Sequence, residues 1–180
     1  YIKEFKTNEE IQKLNKQSEE LLNEFQEIFN LENIKKISIE NYALGSGSQD
    51  SFCYWIEREL APICKFSPGG AGTTVYGISY KKDSGEIRVD NNEDPKTFMV
   101  KVRQALIEII ETKNFDKARE LKFWYSYIIK ILHSYYPNDY FPVLSKEHLK
   151  IFAKIFNIES KGLNDIELNH GITININNDI

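Results

Sequence analysis

The sequence predicts an α+β fold, in which about five helices pack around a small antiparallel sheet that contains one clear hairpin. Apolar residues recur at intervals of three and four along most of the chain, which is the spacing of amphipathic helices. Alternating β-prone residues are concentrated between Thr73 and Val89, on either side of Gly85. The chain has 180 residues, of which 41% are hydrophobic, and this is enough for one domain with its own core.

Two helices are predicted before the hairpin. The first covers residues 8–29 and carries an apolar stripe. The stripe consists of Ile11, Leu14, Leu21, Phe25 and Ile28. We expect the stripe to pack on the same molecule, with pairing to another chain as the alternative. The second helix follows a Gly/Ser loop, with Ser48 or Asp50 as its N-cap and Pro62 at its end.

The hairpin follows the second helix and leads to a third. Thr73–Tyr80 is predicted as the first strand and Glu86–Val89 as the second. Gly85 is expected in the turn, at a position that requires a positive φ. Asp94 as N-cap and Pro95 at the first helical position predict the start of the third helix.

The remaining elements are two helices and a tail. The fourth helix is predicted from Phe115 to about Tyr135 and is apolar nearly all round, so we expect it to be central. Ser145 is predicted to cap the last helix, and the Asn-rich tail beyond it to form a short strand or to fray. The predicted divisions are 1–40, a helix and linker; 41–162, the α+β recognition domain; and 163–180, the tail.

Charge is distributed unevenly along the chain. The net charge of −4 argues against a strongly basic nucleic-acid-binding module taken as a whole. Residues 61–130, however, contain twelve Lys and Arg against nine Asp and Glu. An anion-binding face is therefore expected in this middle third, unless the excess is only a fluctuation on a solvated surface. We expect a cytoplasmic protein, because no signal peptide or membrane-spanning run is visible.

The cysteines and histidines predict neither a metal nor a cofactor. Cys53 and Cys64 have apolar neighbours and are expected to be free thiols rather than a disulfide. The three histidines are scattered, without the spacing of zinc ligands. His133 is interpreted as a packed histidine, and His148 as a surface or capping residue.

No catalytic motif can be assembled, so we expect that this chain is not an enzyme. The run PGGAGTT lacks the Lys of a phosphate-binding loop and is predicted to lead into a strand rather than a helix. Asp83 and Glu86–Arg88 imitate a metal-dependent nuclease hairpin only faintly. Asp83 lies in the turn, and an arginine hardly gives up a proton at neutral pH.

A binding surface around the hairpin agrees best with these residues. Glycines at 69, 70 and 72 let a backbone approach a ligand closely. The candidate contacts to duplex DNA are Lys65, Thr73, Thr74, Lys81, Lys82 and Arg88. Trp55 and Tyr76 are candidates for stacking on a base. Burial in the core is the alternative for each aromatic side chain.

Three segments resemble the N-terminal region of some McrB-like proteins, the AAA+ NTPase subunits of modification-dependent restriction systems. The segments are SFCYWIERELAPICKFSPGGAGTTVYGISY, FMVKVRQALIEII and KILHSYYPNDYFPVLSKEHLKIFAKIFNI. The likeness covers roughly Asn41 to Ile158. It implies a domain that recognises a DNA site or a modified base, while an NTPase ring and a McrC-like nuclease subunit complete the complex. The motor motifs are not in this chain, so NTP binding is not implied for it.

The sequence therefore predicts a DNA-recognition domain of a restriction NTPase, which binds duplex DNA and, in one version, a modified base. The alternative is a protein-interaction or assembly module of the same type of complex, without direct DNA contact. It would use the stripe of the first helix or the tyrosine-rich surface around Tyr135–Tyr140.

Overall fold

The computed structural model describes residues 8–68, 72–81 and 83–178 and confirms the α+β class. Within these residues, ten α-helical segments and one π-helical segment accompany a two-stranded antiparallel sheet. The helices are α1 (Glu9–Ile28), α2 (Leu31–Lys35), α3 (Ile39–Tyr42), α4 (Phe52–Tyr54), which continues as the π-helix Trp55–Glu59, α5 (Gly72–Tyr76), α6 (Pro95–Thr112), α7 (Asp116–Glu120), α8 (Tyr125–Tyr135), α9 (Lys146–Ile155) and α10 (Asp165–Asn178). The strands are β1 (Ile78–Tyr80) and β2 (Ile87–Val89).

The predicted hairpin is present but short. Ile78 lies opposite Val89 and Tyr80 opposite Ile87 in the antiparallel register. Gly85 has the positive φ expected for its turn, +67°. An isolated parallel bridge joins Leu44 to β1. The sheet is therefore anchored to the loop that follows α3.

Helix α1 packs on the rest of the molecule through its C-terminal half, as predicted for its stripe. Asn8 caps it, and Leu22, Phe25 and Phe29 are buried in the main core. Leu14, in the N-terminal half, is 55% exposed. Only part of the apolar stripe is therefore covered within this chain.

The second helix begins later than predicted, and part of it is not an α-helix. Ser51, rather than Ser48 or Asp50, is the N-cap, and its hydroxyl accepts a hydrogen bond from Tyr54 N. Ser48 instead accepts one from Asp50 N within the loop. After Tyr54 the backbone widens into the π-helix, which ends before Pro62.

Lys130 of α8 lies beneath the end of this π-helix and is 1% exposed. Its ammonium group donates to the carbonyl oxygen of Leu60 at 2.6 Å and also to that of Cys64. These carbonyls follow the helix end, where backbone acceptors have no helical partner. A buried lysine therefore holds the turn after the π-helix against α8.

The prediction of a strand over Thr73–Tyr80 is wrong for its first half. Gly72–Tyr76 is helical, so the glycine-rich run leads into a five-residue helix. Val75 and Tyr76 are both fully buried, whereas neighbouring residues of a strand would point to opposite faces. Gly77, with φ +76°, redirects the chain into β1.

The long fourth helix predicted over Phe115–Tyr135 is interrupted. Helix α7 ends at Glu120, and Lys122 adopts a left-handed conformation with φ +58°. Phe123, which follows, is buried in the main core. Helix α8 then starts at Tyr125 and is central, as expected. The helix is thus interrupted where Phe123 enters the main core, at the expense of the backbone hydrogen bonds of a continuous helix.

The tail prediction is also wrong, because Asp165–Asn178 forms a helix. Asn164 caps it by accepting from Ile166 N and Glu167 N, while Glu167 Oε2 accepts from Asn164 N. Its partner is α9, which Ser145 caps as predicted. Leu149 and Ala153 of α9 form a second, smaller core with Leu168 and Ile172 of α10.

The larger core extends from Leu22 to Ile166 and therefore includes residues of all three predicted divisions. Phe25, Phe52, Tyr127 and Ile129 are among its completely buried side chains. Among the described residues, no helix is long and apolar enough to cross a bilayer.

Candidate nucleic-acid interface

The structure brings three of the predicted DNA contacts together beside the hairpin. Thr73, Lys81 and Arg88 line one open cleft of about 580 Å³. The Thr73 hydroxyl is engaged in a short hydrogen bond with that of Ser79. Thr74 is exposed next to Thr73, and hydroxyls of this kind can bond to phosphate oxygens.

Carboxylates offset the cations in this hairpin cleft. Glu86, Asp90 and Glu93 line it together with Lys81 and Arg88. Lys81 forms an ion pair with Glu86, and this contact lowers the pKa of the Glu86 carboxyl. The hairpin cleft as a whole therefore carries more negative than positive charge, which opposes contact with a phosphate backbone.

Of the remaining predicted cations, Lys65 is exposed in the loop that follows the second helix and is not among the residues lining the hairpin cleft. Lys82, like Gly69 and Gly70, lies outside the described residues. Arg88 is exposed on β2 and, within the described part of the chain, is in no ion pair. It is the cation of this surface that is best placed to meet an anion.

The two predicted stacking residues are core residues. Trp55 is 7% exposed, and Tyr76 is completely buried. The Tyr76 hydroxyl donates to Glu57 Oε2 at 2.8 Å, and burial raises the pKa of this phenol. Neither ring has a free face for a base, so this part of the prediction is wrong. The sheet and π-helix need both rings to fill the interior.

The tyrosine-rich surface of the alternative prediction is also used internally. Tyr140 is 5% exposed. The Tyr135 hydroxyl donates to the carbonyl oxygen of Phe29 at 2.6 Å, and the Tyr136 hydroxyl donates to that of Ile110. These tyrosines hold α8 to α1 and α6 and offer little docking surface.

A second cleft, which the sequence did not indicate, lies between α7, α8 and the starts of α9 and α10. We call it the α7–α8 cleft. It has a volume of about 290 Å³, and its lining includes Arg119, Phe123, Tyr125, Lys146 and Asp165. Cations and aromatic rings therefore occur together there, as in surfaces that bind nucleic acids.

Lys146 and Tyr125 supply part of the polar lining of the α7–α8 cleft. Lys146 Nζ lies 2.5 Å from Asp165 Oδ2 and 5.4 Å from the centre of the Tyr125 ring. Burial raises the pKa of the Tyr125 phenol, with a smaller opposing effect of Asn169. Its oxygen is buried and makes no hydrogen bond of normal geometry within the described residues.

Trp124 lies between two lining residues of this cleft and is 41% exposed. Arg119 and Lys122 both precede it in the sequence and are exposed, and neither is in an ion pair within the described ranges. Large exposed aromatic side chains near cations favour stacking on bases and contact with phosphates. The run KFWY contains these residue types, but the prediction placed it inside one continuous, central helix, where an exposed tryptophan is not expected.

The cysteines and histidines have structural roles. Both thiols are free, and burial raises the pKa of Cys53 from 9.0 to about 12, which opposes formation of a thiolate. His133 is buried, with its Nδ1 2.7 Å from the carbonyl oxygen of Tyr140. His148 is exposed at the start of α9, where its backbone N donates to Ser145 Oγ.

Comparisons with protein-family models, curated proteins and solved structures gave no match. Among residues 8–68, 72–81 and 83–178, no three His, Cys, Asp or Glu side chains are grouped as metal ligands would be.

Proposed function

We propose that the protein is a DNA-recognition domain, of the type found in the McrB-like restriction NTPases that residues 41–158 resemble. It would act in the cytoplasm as the specificity part of a larger complex with a McrC-like nuclease subunit. Its own role is binding to duplex DNA and involves no catalytic step. The observation that supports this role best is the exposed Trp124, next in sequence to two lining residues of the α7–α8 cleft and preceded by the exposed Arg119 and Lys122.

This surface differs from the one that the sequence indicated. In the hairpin cleft, Lys81 is paired with Glu86, so we assign it a lesser role. Arg88 stays exposed and would supply a further phosphate contact. The surface at the α7–α8 cleft adds what the hairpin lacks, namely the exposed ring of Trp124 next to two cations, Arg119 and Lys122, that are in no ion pair within the described residues. Lys146, in contrast, is paired with Asp165.

The test is a binding series with unmodified, cytosine-methylated and adenine-methylated duplexes at several salt concentrations. Arg119→Glu/Lys122→Glu should weaken binding at least about tenfold and reduce the salt slope by about two, since each phosphate contact contributes about 0.9. Trp124→Ala should weaken binding by about 1–3 kcal/mol, the usual contribution of one stacked base. Arg88→Glu tests the hairpin separately.

The control variant is Lys96→Glu/Lys161→Glu, which makes the same change in net charge at two other exposed lysines. Tryptophan fluorescence gives a second measurement, because the chain has two tryptophans and Trp55 is buried. Quenching on DNA binding therefore reports on Trp124. If no duplex binds at low salt, or if all variants bind equally, this function is refuted.

An assembly role without DNA contact is the second candidate. It is favoured by the exposure of large apolar side chains on two helices, Leu14 on α1 and Ile151 and Ile155 on α9. Exposed apolar groups on regular helices are typical of interaction surfaces.

A further inference from the structure

The first of these surfaces is an acidic groove on helix α1. Leu14 and Leu21 line it together with Pro62 from the turn after the π-helix, and its volume is about 510 Å³. Its charged lining residues are Glu20 and Glu24. Glu20 has a long contact of 3.9 Å to Lys16, with both side chains well exposed, so its charge remains available. The groove is therefore apolar at its base and negative at its side.

The second surface is a basic ridge on helix α9. Ile151 is 53% exposed and Ile155 is 63% exposed, while the inner face of the helix packs on α10. Lys150 and Lys154 stand directly before these isoleucines, and both are exposed. Within the described residues, neither lysine is in an ion pair. Glu147, the acidic residue of α9, is hydrogen-bonded to Ser145 at the helix start.

The groove and the ridge match in spacing as well as in charge. Glu20 and Glu24 are four residues apart on α1, and Lys150 and Lys154 are four residues apart on α9. Both pairs therefore span about 6 Å along their helices, one above the other on the same side. Ile151 and Ile155 are also four residues apart. Their apolar side chains therefore project at the same interval, beside the two lysines.

We propose that the acidic groove on α1 of one molecule receives the basic ridge on α9 of a second copy of the same chain. Ile151 and Ile155 would enter the groove beside Leu14, and Lys150 and Lys154 would face Glu20 and Glu24. Both surfaces are exposed within a single chain, so the contact forms between copies. This contact rests on the assembly role given above and is independent of DNA binding.

An interface of this kind is heterologous, because two different surfaces of the same chain meet. After the first contact the pair keeps one unused groove, on one molecule, and one unused ridge, on the other. Head-to-tail addition can then continue into a ring or an open chain, whereas a two-fold symmetric contact would stop at a dimer. This difference allows the arrangement to be tested without a structure of the assembly.

The experiment measures molecular mass against concentration by sedimentation velocity and light scattering. One variant blocks the groove, Glu20→Lys/Glu24→Lys, and the other blocks the ridge, Lys150→Glu/Lys154→Glu. Each should weaken self-association at least about tenfold, because like charges then face each other. All four side chains are exposed, so folding is expected to be retained, and circular dichroism checks it.

Mixing the two variants restores the contact in two ways. The normal ridge of the groove-blocked molecule meets the normal groove of the ridge-blocked molecule, and the acidic ridge of the latter meets the basic groove of the former. A mixture should therefore associate to species as large as those of the original chain, although each variant alone does not. The variant with all four changes should associate like the original chain, because the charges are exchanged. A charge-matched control for the groove is Glu59→Lys/Asp83→Lys, at other exposed acidic residues.

Three results would overturn this assignment. The original chain could remain monomeric up to about 1 mM, the weak end of specific affinities. Blocking the groove alone could abolish association while blocking the ridge has no effect, which would indicate symmetric pairing of α1. The mixture could stay monomeric while the original chain associates. Gel shifts with the same variants keep this result separate from DNA binding.

Discussion

The buried Lys130 should make stability depend on pH in an unusual direction. Burial lowers the pKa of Lys130 from 10.5 to about 8, whereas in the unfolded chain it keeps its ordinary value. Between these two values the unfolded state binds more protons, so the free energy of unfolding should rise with pH. The difference of about 2.5 pH units corresponds to about 3 kcal/mol in total, of which about 2 kcal/mol falls between about pH 7.5 and 9.5.

The assay compares urea unfolding of the original chain and of Lys130→Met across this range. Other groups titrate there with the opposite sign. Burial raises the pKa of the Cys53 thiol from 9.0 to about 12, so its contribution is present below about pH 9 and is lost as the pH rises. At each pH, subtracting the free energy of unfolding of Lys130→Met from that of the original chain removes the effects that both proteins share. Because Cys64 interacts with Lys130, both proteins should carry Cys64→Ser.

The stability of the lysine protein relative to the methionine variant should therefore increase by about 2 kcal/mol from about pH 7.5 to 9.5. The exposed Lys161 supplies the control substitution, Lys161→Met. A Lys130 difference that stays within about 0.5 kcal/mol over the range would show that this lysine titrates normally, and the reasoning would be refuted.

Two further substitutions test the core around the hairpin by thermal and urea denaturation. Gly77→Ala should cost more than about 2 kcal/mol, because its φ is +76° and a Cβ would lie 2.6 Å from the Phe98 ring. Gly47→Ala, with φ +89° and open space, should cost only about 1 kcal/mol; equal losses would contradict the steric part. Tyr76→Phe removes the hydroxyl that donates to the buried Glu57 and should cost about 1–3 kcal/mol. An unchanged midpoint would show that this hydrogen bond contributes nothing.

Signals contained within a few adjacent residues were interpreted correctly from the sequence. Asp94 and Pro95 start α6, and Asp94 accepts from Thr97 N as an N-cap should. Ser145 caps α9, and Gly85 occupies the turn of the hairpin. In each case the hydrogen bonds that determine the structure connect near neighbours, so the sequence contains both partners.

Elements that depend on distant partners were misjudged. The residues after Gly162 alternate like a strand, but α10 is helical because Leu168 and Ile172 meet Leu149 across the second core. The break at Lys122 similarly follows from the place of Phe123 in the main core. The periodicity of one segment contains no information on such contacts with distant residues.

The prediction of the candidate site was wrong for the same reason, because accessibility also depends on distant residues. Tyr76 and Trp124 are both aromatic side chains in apolar surroundings in the sequence, yet the first is completely buried and the second is 41% exposed. Local composition identified the residue types that can contact a nucleic acid. Their accessibility was decided by the packing of α5, α7 and α8, which brings together residues far apart in the chain.

The pairing of α9 with α10 affects where this protein can be divided. Helix α9 buries Leu149 and Ala153 largely through Leu168 and Ile172, which come after the boundary at residue 162 that composition suggested. A polypeptide that ends at residue 162 would leave the apolar face of α9 exposed to solvent. Bacterial expression of such a piece would favour inclusion bodies, whereas a cut beyond Asn178 keeps the helical pair intact.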